Sequence, residues 1–200
     1  MVTCESYMGY KNYIFYIFLL CTFLVIVPCS AQQFNDLDQV PHDISYYRES
    51  RITPPLVKVL YGRPSKNGKK IFGEYVPFNE VWRTGYNEAT EIKFYGDVLF
   101  GNTKIKAGNY VLLTIPGEKE WKVILNSQLD TWGAFQYDPI FNVAEISVPV
   151  KEAEELEVFS ISFKKKSEEV QMILGWDSTR VFVPLKFRAS QRQFAQRRDR

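Results

Sequence analysis

Apolar and polar side chains alternate with a period of two in several stretches between residues 91 and 187. Successive side chains of a β-strand point to opposite faces of its sheet, so this period predicts strands with one face on a core and one toward water. The apolar positions form five sets: Ile92 and Phe94; Trp121, Val123 and Leu125; Phe159, Ile161 and Phe163; Val170, Met172, Leu174 and Trp176; and Val181, Val183, Leu185 and Phe187. The pattern favours an all-β protein over a helical one.

Turn-forming residues separate these apolar runs. Gly101-Asn102 suits a tight hairpin, and residues 116–119 (PGEK) join two further runs. Residues 164–169 predict a charged loop, and residues 177–179 another turn. Strands at such short spacing predict an antiparallel β-sandwich or a jelly-roll-like fold.

Two exceptions to the strand pattern are expected. Residues 78–82 predict a short helix, and residues 128–139 are irregular, so the fold has one or two short helices. Pro184 has no N–H to donate to a ladder, which predicts that the last strand lies at a sheet edge.

The N-terminal segment has the composition of a signal peptide. Lys11 precedes an apolar run over residues 13–27, and Pro28 then leads into a small-residue site at residues 29–31. The run is shorter than the roughly 20 residues that a membrane-spanning helix needs. We therefore expect residues 1–31 to be removed and the protein to be exported, to the periplasm or outside the cell. An uncleaved membrane anchor over residues 13–31, or a lipoprotein acylated on Cys29, are the alternatives.

The positions of the cysteines limit the kinds of catalytic and metal site that the mature protein can have. Cys4, Cys21 and Cys29 all precede the predicted cleavage point, so the mature protein would have no thiol. Cysteine nucleophiles, thiolate metal sites and redox motifs are then excluded. The only histidine, His42, cannot by itself form a catalytic triad or a histidine metal site. We expect no metal and no cofactor, and no catalytic residue is assigned.

The remaining chain divides into three predicted parts. Residues 32–55 predict a polar linker that ends at Pro54-Pro55, residues 56–187 a single β domain, and residues 188–200 a basic, disordered tail. The net charge of +2 is too small to indicate nucleic acid as a partner. A membrane contact is expected only through an uncleaved N-terminus.

The densest polar segment covers residues 82–90 (WRTGYNEAT). Arg83 can present a planar fork to a carboxylate or phosphate, Asn87 and Thr90 offer neutral hydrogen bonds, and Glu88 could act as a general base. The competing interpretation is an internal network, in which Arg83 binds Glu88 or loop carbonyls and the segment is scaffolding.

Two other segments carry weaker signals. Residues 61–73 are rich in glycine and lysine but lack the spacing of a phosphate-binding loop, so Lys66, Lys69 and Lys70 are expected to be solvated. In residues 132–138, Trp132 could form an aromatic platform for a sugar ring. Trp121 and Trp176 follow the strand period and are expected in the core.

The sequence resembles a known bacterial family, domain of unknown function 2911. The resemblance runs from residue 58 to residue 187 and rests on RPSKNGKKIFG, EYVPFNEVWRTGYNEAT, IKAGNYVLLTIPGEKEW, VILN, TWGAFQYD and GWDSTRVFVPLKF. It implies a mostly-β, exported protein of Bacteroidetes-like bacteria and implies no activity. Its motifs point to Arg63, Trp82, Arg83, Asn87, Glu88 and Thr90. Tyr86 stands where the family usually has a small residue.

Three functions follow as hypotheses. The first is a non-catalytic binding or interaction protein of the cell envelope, whose ligand is a glycan or a small anion near Arg83 and Trp132. The second is a polysaccharide hydrolase that uses Glu88 and a second carboxylate, which the spacing does not identify. The third is a structural component of an envelope assembly, joined through an edge strand at the C-terminus. The oligomeric state is left open.

Overall fold

The computed structural model describes residues 13–18 and 38–187 of the 200-residue chain. Residues 13–18 are helical and their side chains are exposed. A separate compact unit begins at Asp38. Within the described ranges, no helix has the length and apolar character needed to cross a membrane. The predicted cleavage site and the predicted basic tail lie outside the described residues.

The unit that begins at Asp38 is built from two antiparallel sheets, which confirms the predicted all-β sandwich architecture. The larger sheet has the order β1-β2-β3-β6-β7-β8, and the smaller one the order β5-β4-β10-β9. A 3-10 helix at Pro139–Phe141 precedes β8. The strands are β1 His42–Tyr47, β2 Val57–Gly62, β3 Thr90–Phe94, β4 Val98–Phe100, β5 Thr103–Ile105, β6 Gly108–Ile115, β7 Glu120–Asn126, β8 Asn142–Pro149, β9 Lys151–Lys166 and β10 Glu169–Phe187.

The main core lies between the two sheets and is rich in aromatic rings. Trp121 and Trp176 are each 1% exposed, as predicted. The ring of Phe72 packs edge-on against both, with centroid distances of 4.8 Å to Trp121 and 6.4 Å to Trp176. Such edge-to-face pairs add stability beyond the area that they bury.

A smaller apolar cluster covers the opposite face of the larger sheet. Val111 and Leu113 of β6 and Ile124 of β7 are buried there, together with Ala89. Leu129 and Tyr137 pack against them from the segment that links β7 to β8. The middle strands β6 and β7 are therefore buried on both faces, and Ala89, Leu129 and Tyr137 attach their irregular segments to this second face.

The predicted turns are partly confirmed. Gly101, with φ of +58°, lies in the hairpin between β4 and β5, and residues 116–119 join β6 to β7. The predicted charged loop at residues 164–169 is shorter than expected, because β9 runs to Lys166 and β10 starts at Glu169. The predicted turn at residues 177–179 is wrong. β10 continues through it with register shifts, and Asp177 has φ of +50°. The residues of this bulge are polar like those of a turn, so the composition indicated a turn where the strand continues.

The predicted linker over residues 32–55 contains a strand. β1 pairs with β2 along its whole length, from His42 opposite Gly62 to Tyr47 opposite Val57. Its pattern misled the prediction because Ile44 and Tyr46 face solvent while Asp43 and Ser45 are half-buried. The sheet therefore starts before the predicted domain boundary at residue 56.

Two further predictions are wrong. Residues 78–82 are not helical, because Asn79 has φ of +62° and Trp82 forms a bridge to Thr114 of β6. β10 is not an edge strand, since β4 and β9 flank it. Pro184 is tolerated because the registered pairs with β9 end at Arg180 and those with β4 begin at Leu185.

Candidate functional site

The candidate site lies where a loop interrupts the chain that pairs with β6. Thr90 of β3 pairs with Leu112, and Trp82 forms the next bridge along β6, to Thr114. The backbone N–H of Trp82 donates to the Thr114 carbonyl at 2.7 Å, and the backbone N–H of Thr114 donates to the Trp82 carbonyl at 3.0 Å. Residues 83–89 therefore project from the sheet between two residues, Trp82 and Thr90, that both pair with β6. We call this segment the 83–89 loop.

Threonine side chains close the base of this loop. The Thr90 hydroxyl donates to the Thr84 carbonyl at 2.8 Å, and the Thr84 hydroxyl donates to Thr114 Oγ1 at 3.1 Å. All three residues are fully buried. Thr84 has φ of +56°, which is unfavourable for a β-branched residue and persists only where surrounding contacts enforce it.

Two glycines let the end of β2 approach the loop. A Cβ on Gly62 would lie 2.1 Å from the carbonyl oxygen of Tyr86, and a Cβ on Gly85 would lie 3.0 Å from the carbonyl oxygen of Gly62. At Gly62 a side chain would require a backbone shift, because the atom that it meets is a carbonyl oxygen. The loop therefore has a fixed position against β2.

Between the loop and its neighbours lies a cavity of about 510 Å³, which we call the Arg83 cavity. It is open to solvent on one side. Its aromatic walls come from Tyr75, Trp82, Tyr86 and Phe135. Its polar groups come from Glu80, Arg83 and Asn87.

The floor of the cavity rests on the aromatic core. The Trp82 ring stacks on Trp176 with a centroid distance of 6.1 Å and an interplanar angle of 18°. Phe159 and Phe72 pack edge-on against Trp82, at 5.1 Å and 6.0 Å. The indole N–H donates to the Gly85 carbonyl at 3.2 Å, so the ring cannot turn without a loss of contacts.

Arg83 is the cation of the cavity. One Nη1–H donates to the Asn87 carbonyl at 3.0 Å, and the guanidinium carbon lies 5.6 Å from the centroid of Phe135. A Cβ on Gly133 would lie 3.0 Å from that carbon, so the guanidinium rests directly on the Gly133 backbone. Among the described residues, the ion pairs do not include Arg83.

The phenols of the cavity interact with this cation. Burial raises the pKa of the Tyr75 phenol, and the nearby Tyr86 raises it further, while the charge of Arg83 acts in the opposite direction. Lys69 Nζ lies 4.6 Å from the centroid of the Tyr75 ring. Tyr75 is therefore a neutral hydroxyl group at neutral pH, close to a positive charge.

The structure brings together three of the predicted site residues. Trp82, Arg83 and Asn87 line the Arg83 cavity. Asn87 has φ of +59°, and its Nδ2 donates to Asp38 Oδ2. The predicted internal network is present in part, since Arg83 binds a loop carbonyl but does not pair with Glu88.

The other four predicted residues lie outside the cavity lining. Arg63 Nη1 pairs with Asp43 at 3.3 Å, and Glu88 pairs with His42 Nε2 at 2.9 Å. Both partners belong to β1, which the sequence did not indicate as a strand. Thr90 holds the base of the loop, and Trp132 is 54% exposed and does not line the cavity.

The aromatic and charged lining residues that were missed are Tyr75, Glu80, Tyr86 and Phe135. Phe135 lies three residues after the predicted platform residue Trp132, so the prediction chose the right segment and the wrong ring. The departure of Tyr86 from the family pattern was a usable signal, because its side chain forms one wall of the cavity.

The glycine- and lysine-rich loop at residues 61–73 has a structural role. Lys66 Nζ binds Glu155 at 2.7 Å and Asp177 at 2.8 Å, and its side chain is only 14% exposed. The prediction that Lys66 is solvated is therefore wrong. Lys70 forms an exposed pair with Glu74 at 3.1 Å. The Lys66 contacts fasten the loop to β9 and β10 of the smaller sheet.

No set of three or more His, Cys, Asp or Glu residues that could hold a metal ion occurs within residues 13–18 and 38–187. The chemistry of the Arg83 cavity is that of a guanidinium, two phenols, an amide and an exposed carboxylate between aromatic walls.

One comparison with known proteins gives a match. A family model described as "Protein of unknown function (DUF2911)" matches residues 47–185, more than half of the chain. No curated protein and no solved structure gives a significant match.

Proposed function

We propose that this chain, which belongs to the DUF2911 family, is a non-catalytic binding module that holds a small anionic ligand in the Arg83 cavity. The observation that carries the proposal is the position of Arg83. Its guanidinium is fixed from three sides inside an aromatic-walled cavity, and no carboxylate pairs with it among the described residues.

The dimensions and the lining fit this function. A cavity of about 510 Å³ is within the roughly 300–1,000 Å³ of small-ligand sites, which combine apolar walls with a few polar groups. A guanidinium binds carboxylates and phosphates through two parallel hydrogen bonds. Because the Asn87 carbonyl occupies one Nη1–H, the other N–H groups remain for a ligand.

The unfavourable backbone conformation of the segment that forms the cavity also supports a binding role. Asn79, Thr84 and Asn87 all have positive φ, and all three lie in the segment that forms the cavity. Residues in such conformations gather at ligand sites, where the surrounding contacts hold them in place.

The two alternative functions have less support. Glu88, the carboxylate considered for a hydrolase, pairs with His42 and does not line the cavity. Assembly through a C-terminal edge strand has less support, because residues 185–187 of β10 already pair with β4 and the strand lies between β4 and β9 in the sheet order.

We further propose that the protein is exported, as the N-terminal apolar run and the small residues before Gln32 indicate. Mass spectrometry of the protein from its native host should give a mature N-terminus at Gln32. A start at Cys29 with an added lipid mass would indicate a lipoprotein, and an intact residue 1 would indicate a retained anchor.

The binding function is tested by calorimetric titration of residues 32–200 with phosphate, glucuronate and galacturonate, and with glucose and galactose as neutral probes. We expect saturable binding of at least one anion, a loss of at least tenfold in affinity for Arg83→Ala, and an intermediate loss for Arg83→Lys, which keeps the charge without the planar fork.

The matched control is Arg51→Ala, since Arg51 is also an arginine and is exposed outside the cavity. This variant should bind as the wild type does. If no anion binds, or if Arg51→Ala and Arg83→Ala weaken binding equally, the proposal is wrong.

A further inference from the structure

We infer that the binding site continues out of the Arg83 cavity along residues 131–135 and that its ligand is an acidic saccharide longer than one ring. The inference rests on the proposed function and specifies its ligand. In this arrangement Arg83 binds the carboxylate of one hexuronate, Phe135 packs against that ring, and Trp132 packs against the adjacent ring.

Two large aromatic side chains within residues 131–135 face water. Phe135 is 79% exposed although it lines the cavity, and Trp132 is 54% exposed. Exposed aromatic rings beside a polar cavity are characteristic of ligand surfaces, because a ring offers a flat apolar face. Trp132 and Phe135 are three residues apart, so their Cα atoms lie within about 11 Å of each other.

The segment that carries these rings has a fixed support. The Ala89 N–H donates to the Thr131 carbonyl at 3.1 Å, and the Tyr137 N–H donates to the Ala134 carbonyl at 3.2 Å. Gly133 lies against Arg83, and the Tyr137 hydroxyl accepts from Asn142 Nδ2 at 2.9 Å. A platform needs such support, because a loose loop would lose entropy each time it bound a ligand.

The polar groups of the cavity favour a ligand with many hydroxyls. Glu80, Asn87, Tyr75 and Tyr86 line the cavity, and they supply both donors and acceptors. An aromatic acid would use Arg83 and the aromatic walls and leave these four groups without a role. A hexuronate uses all of them, because it has a carboxylate, several hydroxyls and an apolar ring face.

The inference is tested by comparing saccharides of different length. Galacturonate, trigalacturonate and methyl-esterified trigalacturonate would be titrated into residues 32–200 by calorimetry. We expect the free trimer to bind about tenfold more tightly than the monomer, because a second ring stacks on Trp132. The esterified trimer, which has no charge for Arg83, should bind at least tenfold more weakly than the free trimer.

Variants separate the two parts of the site. Trp132→Ala should remove the advantage of the trimer and leave the affinity for the monomer within about twofold, whereas Arg83→Ala should weaken both. Tyr95→Ala is the matched control, since Tyr95 is another exposed aromatic residue and should change neither affinity.

The inference is overturned if the trimer binds no more tightly than the monomer, or if Trp132→Ala weakens both equally. It is also overturned if no uronate binds while phosphate binds in an Arg83-dependent way, a result that leaves the proposed function intact. If no anion binds through Arg83, the proposed function fails together with the inference.

Discussion

Arg83 and Gly133 are in direct contact: the guanidinium carbon lies where a Cβ on Gly133 would be only 3.0 Å away. The two residues are far apart in the sequence, and one belongs to the 83–89 loop while the other follows β7. Their contact joins the two segments that form the Arg83 cavity. The orientation of the cation thus depends on the absence of a side chain at Gly133.

The first prediction concerns this contact. Gly133→Ala should weaken anion binding about tenfold or more, because the methyl group would displace the guanidinium. It should also destabilise the fold by about 1–2 kcal/mol, since Gly133 has φ of +65°. Calorimetric titration and thermal unfolding measure the two effects.

Gly68→Ala is the control, because Gly68 has φ of +72° and nothing within 4 Å of a built Cβ. It should lose similar stability and keep full binding.

The second prediction concerns the approach of β2 to the loop. Gly62→Ala should lower the free energy of unfolding by about 1–3 kcal/mol, because its Cβ would meet the Tyr86 carbonyl at 2.1 Å and a backbone atom cannot rotate away. Urea unfolding measures the change. A loss below about 0.5 kcal/mol would mean that the loop is free to move, contrary to the fixed site described above.

The third prediction concerns the buried threonines. Thr114→Val keeps the shape of the side chain but removes the acceptor of the Thr84 hydroxyl, which lies 3.1 Å away. The expected loss is about 1 kcal/mol, because a buried hydroxyl would keep only its 3.3 Å contact with the Trp82 carbonyl. Thr103→Val, at an exposed position of β5, is the control and should change stability by less than about 0.5 kcal/mol.

The fourth prediction concerns pH. Burial alone would raise the pKa of the Asp177 carboxyl, but the hydrogen bond and charge of Lys66, with the backbone N–H groups of Ile71 and Ser178, lower it below the ordinary 3.8. The charged form is therefore favoured by folding. Its stabilising contribution is fully present above the unfolded pKa and is lost as the pH falls through the lower, folded value.

Asp177→Asn should accordingly be less stable than the wild type at pH 7, and the difference should shrink on acidification below about pH 4. Urea unfolding across this range measures it. Lys66→Met should be destabilised at pH 7 as well, whereas Lys70→Met, which removes an exposed pair with Glu74, should have little effect. A difference that stays constant down to pH 2 would contradict the assignment.

Much of the fold was predictable because alternate residues of its strands point into one apolar core. Ile92 and Phe94 of β3 alternate with half-buried residues, and Trp121, Val123 and Leu125 of β7 point into the core, although Ile124 between them is buried in the smaller cluster. β1 could not be found in this way, since its apolar residues Ile44 and Tyr46 face outward. Only its pairing with β2 makes it a strand.

The site was predictable in part. Arg83 and Asn87 were identified from the density of polar residues in a short segment, which is a local property. The partners of Arg63 and Glu88, Asp43 and His42, lie on the unrecognised β1, so their pairing was invisible in the sequence. The contribution of Phe135 depends on the packing of the β7–β8 segment beside the 83–89 loop, which is a tertiary property.

An NMR titration that observes the Nε–Hε group of Arg83, assigned with Arg83→Lys, tests whether this residue anchors an anionic ligand. During titrations with phosphate and with galacturonate, at least one anion should shift this resonance to saturation. The Arg180 resonance should stay in place, because carbonyls of Asp177, Thr179 and Glu154 already bind that guanidinium. An Arg83 resonance that stays unmoved, or that drifts linearly in step with Arg180, would contradict the claim that Arg83 anchors an anionic ligand.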